Sequence, residues 1–418
     1  MKSLQPNPRS NHLFKVLASE MAAELNNNLI PYWLGKIDPR GGFFSHADCW
    51  NNVDETADKG ALLNSRILWF FARTARQLNG QPVAQDCYAA GQHAWLFLKE
   101  KLIDRESGGL YWSVDAYGTP VDTQKHMYNQ AFAIYALAEW YDTCADDEVL
   151  ALALTLRTQV EQHARDRENR GYMEAFDRHW NSISNTLICD TLICDTDDGV
   201  ADKSMNTHIH LLEAYSRLYD VSPDNELKSS LSELLQLLCT ELQNERSSFS
   251  QFFSRKWKTM SVDHSFGHDI EGSWLIWETA QKVMTGEALE GVRATIIGMA
   301  ESVHNYGLDF DGTVCSEWVD NRFVDTTRIW WVQAEAILGF CNAWQVSSMA
   351  KYLCAAIDTW QVVKRMFIDH ENGDWHWETD RLGNVNHNRP KVSQWKCPYH
   401  SGRACLEIMR RAAALDAP

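Results

Sequence analysis

Residues 265–274 combine the side chains that proton transfer requires. His268 and Glu271 are three residues apart in this segment, so on a helix they lie on one face, one turn from each other. A histidine titrates near neutral pH, and a carboxylate one turn away can hold its tautomer or raise its basicity. The pair predicts acid–base chemistry, and a helix start with solvated polar residues is the alternative.

A second polar group lies within an apolar, helix-like segment. Asn206 and His210 are four residues apart and share a helix face, whereas His208 points elsewhere. Neighbouring histidines also occur in metal sites, but a spacing of two on a helix does not converge on one ion, and the sequence has no HExxH motif. We therefore expect no metal, and we predict that Asn206 and His210 face the interior.

Two further candidates stand at the start of apolar segments. Arg66 precedes a strongly apolar run, and an arginine on such a face needs an anionic or oxygen-rich partner. A substrate oxyanion would satisfy it, and so would a structural carboxylate. Tyr128 opens another segment and is predicted either to reach a ligand hydroxyl or to pack in the core.

Aromatic residues accompany the remaining candidates. Trp330 and Trp331 begin one helix-like segment, and a loop containing Trp395 and His400 leads into the last one. Flat aromatic faces stack on the apolar faces of sugar rings, although core packing is expected to account for most of the eighteen tryptophans. These three tryptophans are candidates for such stacking, and packing in the core is the alternative.

A weak repeat runs through the sequence. A turn rich in Asp or Asn and followed by aromatic residues recurs at intervals of 60 to 78 residues, at Asp38, Asp104, Asp166, Asn244, Asp309 and Asp369. Helix-like segments with apolar residues three and four apart lie between the turns, at residues 60–78, 129–141, 205–219, 274–283, 331–344 and 403–413. Each repeat of about 65 residues therefore predicts two helices and a turn that forms a short hairpin.

Six such helix pairs predict an all-α fold, an (α/α)6 barrel with an inner and an outer ring. We expect residues 1–418 to form one catalytic domain of this kind, and an open helical solenoid is the competing architecture. A tandem Thr-Leu-Ile-Cys-Asp duplication at residues 186–195 is interpreted as a local loop insertion without function.

In a closed barrel, the starts of the inner helices meet at one mouth. The candidates come from six successive repeats at similar phase: Arg66, Tyr128, Asn206 with His210, His268 with Glu271, Trp330 with Trp331, and Trp395 with His400. Imidazoles and an arginine suit proton abstraction next to a carbonyl and stabilisation of the resulting enediolate. A glycosidase needs two carboxylates flanking the bond, so a hydrolase using Asp263 or Asp269 as acid is a rival.

Composition excludes several classes of partner. The formal net charge is −17, which disfavours nucleic acid. The eleven cysteines form no Cys-x-x-Cys pair, so we expect reduced, mostly buried thiols in a cytoplasmic protein. The sequence contains no apolar signal segment and no run of eighteen apolar residues, so we predict no membrane association.

These motifs resemble the N-acylglucosamine 2-epimerase superfamily, and within it the cellobiose 2-epimerases. The resemblance extends from residue 31 to residue 407 and is most specific at residues 57–60, 65–71, 128–136, 267–271, 330–335 and 395–400. It implies the same barrel and an isomerase that interconverts C2 epimers of a reducing-end sugar without a metal or other cofactor. Gly272 and Ser401 depart from the family pattern beside the expected site.

The resemblance also implies a role for each candidate. His268 and His400 would be the acid–base pair, while His210 and Arg66 would bind the C1 and O2 region and stabilise the enediolate. The substrate-binding residues would be Glu271, which orients a histidine or binds a hydroxyl, with Tyr128, Asn206, Trp330, Trp331 and Trp395.

The implied substrates are β-1,4-linked disaccharides, with cellobiose converted to glucosyl-mannose and lactose to epilactose. A monosaccharide 2-epimerase or an aldose–ketose isomerase, acting on mannose, glucose, fructose or N-acylglucosamine, is the alternative within the fold. A purely binding role is a further alternative, which the intact His268, His400 and Arg66 disfavour. We expect a monomer or a weak homodimer.

Overall fold

The structure of the protein is a computed structural model that describes residues 7–183, 201–261, 263–319 and 323–415. Helices dominate these residues, and strands of two or three residues connect them. The duplicated segment at residues 186–195 lies outside the described residues. The helices that the structure describes include none with the length and apolar character needed to span a membrane.

The helices of the described residues alternate along the chain between two layers. In chain order they are α1 (Pro8–Glu24), α2 (Ile30–Leu34), α3 (Ala61–Gln77), α4 (Pro82–Phe97), α5 (Met127–Cys144), α6 (Asp147–His163), α7 (Met205–Val221), α8 (Asn225–Cys239), α9 (Phe266–Val283), α10 (Gly286–Ser302), α11 (Trp330–Ser347), α12 (Ala350–Val362) and α13 (Tyr399–Ala414). A π-helical turn, Leu25–Leu29, joins α1 to α2, and three others continue α4, α10 and α12, at Leu98–Leu102, Val303–Gly307 and Val363–Phe367.

Six of these helices form a closed inner ring. Helix α3 packs against α5, α5 against α7, α7 against α9, α9 against α11, and α11 against α13, which returns to pack against α3. The inner helices are buried nearly all round, because they face the interior on one side and the outer layer on the other. Ring closure confirms the predicted (α/α)6 barrel and excludes the open solenoid.

The outer layer covers each inner helix. Helices α4, α6, α8, α10 and α12 pack on α3, α5, α7, α9 and α11, and α1 packs on α13. The N-terminal helix therefore completes the repeat that the last helix begins. The nine cysteines of the described residues are all unpaired, and six of them are buried.

The two catalytic candidates lie further inside helices than the periodicity predicts. Helix α9 begins at Phe266 rather than residue 274, and α13 begins at Tyr399 rather than residue 403. His268 and Asp269 interrupt the apolar pattern in the first turn of α9, and His400 and Ser401 interrupt it in α13. In α9 the Ser265 hydroxyl accepts a hydrogen bond from the His268 amide at 3.4 Å, which is the N-cap that starts this helix.

Short strands lie in the loops between the helices. They are β1 (Lys59–Gly60), β2 (Ser113–Val114), β3 (Pro120–Asp122), β4 (Lys125–His126), β5 (Ala175–Phe176), β6 (Lys203–Ser204), β7 (Phe252–Phe253), β8 (His264–Ser265), β9 (Glu317–Val319), β10 (Phe323–Asp325), β11 (Arg328–Ile329) and β12 (Glu378–Thr379). The hairpins β2–β3 and β9–β10 confirm the predicted hairpins in these two loops.

The strands tie the starts of the inner helices together. Five inner helices follow a strand that pairs with the loop after the next outer helix, in the antiparallel pairs β1–β2, β4–β5, β6–β7, β8–β9 and β11–β12. A bridge between Ala47 and Val392 makes the sixth junction. The six junctions hold the amino termini of the inner helices at one mouth of the barrel.

The repeated aspartate turns anchor these junctions through buried ion pairs. In five repeats, the turn aspartate contacts a cation just before the next inner helix at 2.5 to 3.1 Å, in the pairs Asp38–Lys59, Asp104–Lys125, Asp166–Lys203, Asp309–Arg328 and Asp369–Lys391. Asn244 and His264 replace this pair in the fourth repeat, where the amide Nδ2 lies 3.3 Å from the His264 Nε2. The repeated turns in the sequence therefore mark the six junctions between neighbouring inner helices.

Replacing Lys391 by methionine tests the junction that the Asp369–Lys391 pair stabilises. Removing one partner of a buried pair leaves an uncompensated charge, so we expect the free energy of unfolding to fall by about 3–5 kcal/mol. Urea unfolding followed by tryptophan fluorescence measures the change. Lys364→Met is the control, because Lys364 pairs with Glu20 on the partly exposed outer surface, where we expect a loss of about 1 kcal/mol or less. Equal losses of unfolding free energy in the two variants would contradict a structural role for this junction.

Candidate active site

Side chains from the starts of the inner helices converge in the interior of the barrel. Arg66 Nη2 donates to the Tyr128 hydroxyl at 2.6 Å, and the His210 ring lies 5.0 Å from the Tyr128 ring. The Trp331 ring lies 4.8 Å from His268 and 5.5 Å from His400 between centroids. The structure therefore brings together the three histidines and the arginine that the sequence predicts.

His400 is held by a carboxylate. Its Nδ1 lies 2.8 Å from Glu335 Oε1, so the hydrogen on Nδ1 points at the carboxylate and Nε2 faces away from it. Burial lowers the pKa of His400 well below its ordinary value, and the positive charges of Arg66 and Arg403 lower it further. The imidazole is therefore neutral at physiological pH and can accept a proton on Nε2.

His210 has a carboxylate partner of its own. Its Nδ1 lies 2.9 Å from Glu213 Oε2, and burial lowers the pKa of His210 to about 4 despite this partner. Burial raises the pKa of Glu213, but Arg403 and His210 outweigh burial and bring it to about 2. The Tyr399 hydroxyl also donates to Glu213 at 2.6 Å. His210 is thus a neutral ring held by an ionised carboxylate.

His268 differs from the other two histidines. Among the described residues its Nδ1 has no hydrogen-bond partner, and burial lowers its pKa to about 3. The predicted neighbour, Glu271, instead accepts a hydrogen bond from Arg403. One helix turn separates His268 from Glu271, but the carboxylate holds the arginine and not the imidazole.

Arg403 is the centre of a buried charge cluster that sequence reasoning missed. Its guanidinium is fully buried and donates to Glu213, Glu271 and Glu335. Two of these carboxylates also hold the histidines His210 and His400. Arg403 therefore connects two of the three histidines through their carboxylate partners.

The same cluster bears on metal binding. Glu271, Glu335 and His400 offer ligand-type atoms within 4.8 Å of one another. Arg403 Nη2 donates to both carboxylates. The guanidinium therefore already supplies the positive charge that a metal ion would bring to these two carboxylates. The donor set does not fit a metal ion.

The ionisation of Glu271 gives a prediction of pH dependence. Burial raises the pKa of Glu271 to about 8, with Glu335 adding to the effect and Arg403 opposing it. A pKa above the ordinary value of 4.5 stabilises the fold fully below pH 4.5, and this stabilisation is lost as the pH rises through about 8. We therefore expect Glu271→Gln to flatten the pH dependence of the free energy of unfolding over this interval.

Urea unfolding across that pH interval measures this effect. Glu278→Gln is the matched control on the same helix, because Glu278 is partly exposed and pairs with Arg410 at 3.0 Å. Wild-type and Glu271→Gln curves that stay parallel would show that Glu271 does not keep its proton when it is buried.

The aromatic candidates occupy different places. Trp395 lies 5.9 Å from Tyr128 and 6.2 Å from Trp112 between ring centroids, so the aromatic surface extends from the interior toward the loops. The Trp330 ring lies 4.7 Å from Trp377 and is nearly fully buried. In the described part of the chain the Trp330 ring packs on Trp377, whereas Trp331 packs beside His268 and His400, so Trp331 and Trp395 are the better placed of the predicted tryptophans.

The remaining polar candidates differ in the hydrogen-bond partners that they have. Asn206 is half-buried, and its Oδ1 has no hydrogen-bond partner among the described residues. His208 accepts from the Tyr172 amide at 3.0 Å and contacts the Ser204 carbonyl at 2.6 Å, so it is a structural histidine. Asp269 accepts from Ser248 and Phe249, and this anchoring disfavours Asp269 as a hydrolase acid.

Of the three charged residues that the sequence analysis missed, only Glu213 has a local spacing that could have revealed it. Glu213 follows His210 by three residues, which is the spacing that drew attention to His268 and Glu271. Glu335 and Arg403 have no such signal, because they meet His400 and Glu271 only across the barrel. The set of carboxylates is larger than the sequence suggested.

Comparisons with known proteins agree with this geometry. A model of the N-acylglucosamine 2-epimerase (GlcNAc 2-epimerase) family matches residues 42–403. A cellobiose 2-epimerase of Ruminococcus albus is 37% identical over 405 residues, covering 95% of this chain and 99% of the relative. One from Dictyoglomus turgidum is 36% identical over 400 residues, with the same coverage of both chains. The solved structure of the Bacillus thermoamylovorans cellobiose 2-epimerase has a TM-score of 0.89 at 34% identity and covers 95% of this chain and 100% of its own.

Neutral imidazoles buried inside a helical barrel are suited to moving protons within one molecule, which is the chemistry of an isomerase. The protein is an enzyme of this class that acts on carbohydrates. The chain belongs to the N-acylglucosamine 2-epimerase family, and it is a sugar 2-epimerase.

Proposed function

We propose that the enzyme inverts C2 of the reducing-end glucose in β-1,4-linked disaccharides, converting cellobiose to glucosyl-mannose and lactose to epilactose. Relatives named cellobiose 2-epimerase, at 33–37% identity over more than nine tenths of the chain, support the substrate class. The observation that carries the chemistry is the position of His268 and His400 against the same Trp331 ring.

The proposed reaction begins on the open-chain sugar. One histidine removes the proton from C2 of the aldehyde, which leaves an enediolate. Rotation about the C2–C3 bond presents the other face of C2, and the second histidine returns a proton there. Two bases on different elements, α9 and α13, allow the proton to leave C2 from one face and to return to the other.

Positive charge and hydrogen-bond donors stabilise the intermediate in this proposal. Arg66 is nearly fully buried, and a guanidinium in a water-poor site stabilises a developing oxyanion more strongly than in water. His210, held by Glu213, lies beside the same Tyr128 ring that contacts Arg66. Arg66 and His210 therefore form the proposed binding site for the O1 and O2 oxygens.

The remaining polar groups position the sugar. Glu271 Oε2 and Asn206 Oδ1 have no hydrogen-bond partner among the described residues, and both are proposed to bind sugar hydroxyls. The Trp331 ring is proposed to stack on the reducing-end sugar. Trp395, with Trp112 beyond it, is proposed to stack on the second ring.

Proton NMR of the purified enzyme in D2O tests the proposal. With cellobiose, we expect deuterium at C2 together with a growing mannose-type reducing end. The same experiment with mannose tests the monosaccharide alternative, which a D-mannose isomerase relative at 22% identity over 93% of the chain keeps open. Turnover of mannose but not cellobiose would move the assignment to that alternative. Release of free glucose from cellobiose would instead indicate a hydrolase.

A further inference from the structure

A second cavity lies at the end of the barrel opposite the proposed active site. Its volume is about 430 Å³, and it is lined mainly by the carboxyl-terminal halves of α3, α5, α7, α9 and α13, with Arg403 contributed by the first half of α13. On α3, for example, Arg73 lies seven residues beyond Arg66, which corresponds to about 10 Å along a helix. The cavity has a size typical of small-molecule sites.

Two buried donors mark the inner end of this cavity. Trp69 and Arg403 both line it and expose 2% and 0% of their surface. Trp69 Nε1 and Arg403 Nε have no hydrogen-bond partner among the described residues. Leaving a buried N–H without an acceptor costs free energy, so an occupant with acceptor oxygens would be stabilised here.

The charge of the lining argues for a neutral occupant. Six cationic and six acidic side chains line the cavity, and most are already paired, as Arg76 is with Glu139 at 2.6 Å and Lys282 with Asp220 at 2.8 Å. The carboxyl termini of the inner helices also end here, and their partial negative charge disfavours an anion. Neither net charge nor helix dipoles attract a phosphate or carboxylate.

The remaining lining suits a hydroxylated molecule. The Trp69 and Tyr135 rings stack at 5.4 Å and both line the cavity, as do the hydroxyl-bearing Ser216 and Thr279. Aromatic faces contact the apolar faces of a sugar, while paired carboxylates at the rim accept hydrogen bonds from its hydroxyls. We propose that this cavity is a second binding site for a neutral polyhydroxylated molecule of monosaccharide size.

Fluorine NMR of the full-length enzyme labelled with 5-fluorotryptophan tests the proposal, with glucose as the probe. The Trp69 resonance is identified by its absence in Trp69→Phe, and Trp331→Phe identifies a resonance in the catalytic site. We expect glucose to shift the Trp69 resonance with its own saturation curve. Because Trp331 reports the catalytic site separately, failure of the proposed function and failure of this site are distinguishable.

Variants that fill the cavity sharpen the test. Ser216→Leu and Thr279→Met add side-chain volume to the lining, and each is expected to weaken the glucose response of Trp69 by about tenfold or more, equivalent to about 1.4 kcal/mol. The response of Trp331 should stay unchanged. Ser232→Leu on the outer helix α8 is the control, and Thr279→Met keeps the test possible if Ser216→Leu does not fold.

Two results would overturn the proposal. One is a Trp69 resonance that does not move at the highest soluble concentration of glucose while the Trp331 resonance does. The other is a Trp69 resonance that responds to inorganic phosphate and not to glucose, which would show that the cavity selects anions.

Discussion

Replacing either His268 or His400 by asparagine is expected to reduce interconversion of the two C2 epimers by about 10²–10⁴-fold, the usual contribution of a general acid or base. Each histidine faces Trp331 from a different helix, so each is expected to serve one face of C2. A variant that lacks one base can still remove the proton from the epimer that faces the other base. We therefore expect each variant to exchange C2 deuterium with only one epimer, and the two variants to differ in which one.

Deuterium exchange from cellobiose and from glucosyl-mannose, followed separately by NMR, measures this pattern. His208→Asn is the control, because His208 is a buried histidine two residues from His210 whose partners are backbone groups of Tyr172 and Ser204. It is expected to cost stability and to leave exchange by the folded enzyme unchanged. Near-normal exchange from both epimers in either catalytic variant would refute the two-base assignment.

Arg403→Met is expected to lower the free energy of unfolding strongly. The substitution removes the guanidinium that donates to Glu213, Glu271 and Glu335, and breaking a buried pair in this way costs about 3–5 kcal/mol. Arg403 is a main reason that the pKa of Glu213 falls to about 2. The depressed pKa stabilises the fold above pH 4.5, and this contribution is lost as the pH falls toward 2. The loss caused by Arg403→Met should therefore be greatest near neutral pH and should shrink in acid.

Urea unfolding of wild type and Arg403→Met at neutral pH and at several pH values between 4.5 and about 2 measures both parts of this prediction. Arg411→Met is the control in the same helix, because Arg411 donates to the neutral amides of Asn342 and Gln345 and lies at the longer distance of 3.7 Å from the carboxylate of Glu407. A loss for Arg403→Met that matches the loss for Arg411→Met, or that does not change with pH, would contradict the role of Arg403 as the counter-ion of the cluster.

The architecture was predictable from the sequence because its signals are local. The turn aspartates recur at regular intervals, and the periodic apolar residues of α3, α5, α7 and α11 give nearly the observed helix bounds. The starts of α9 and α13 were not predicted, because polar residues, among them His268 and His400, interrupt the apolar pattern there. Apolar periodicity therefore fails to mark these two helix starts, where the proposed acid–base pair lies.

The candidate site was only partly predictable because its key contacts are long-range. Arg403 meets Glu213, Glu271 and Glu335 across distances of 68 to 190 residues in the chain, and no local spacing connects them. Helix phase alone also could not separate Trp331, which lies beside the histidines, from Trp330, which packs against Trp377. The position of a side chain in the interior depends on the closed ring.

The fourth junction, in which Asn244 and His264 replace the ion pair, is expected to affect the motions of the barrel. Each of the other five junctions contains an ion pair. At the fourth, the neutral amide of Asn244 lies 3.3 Å from His264 Nε2, and His264 Nδ1 lies 2.9 Å from the Phe249 carbonyl. Among the residues that the structure describes at this junction, the Asn244–His264 contact takes the place of the ion pair, so we expect the local opening free energy to be the lowest of the six. Amide hydrogens at the start of α9 should therefore exchange fastest among the inner-helix starts.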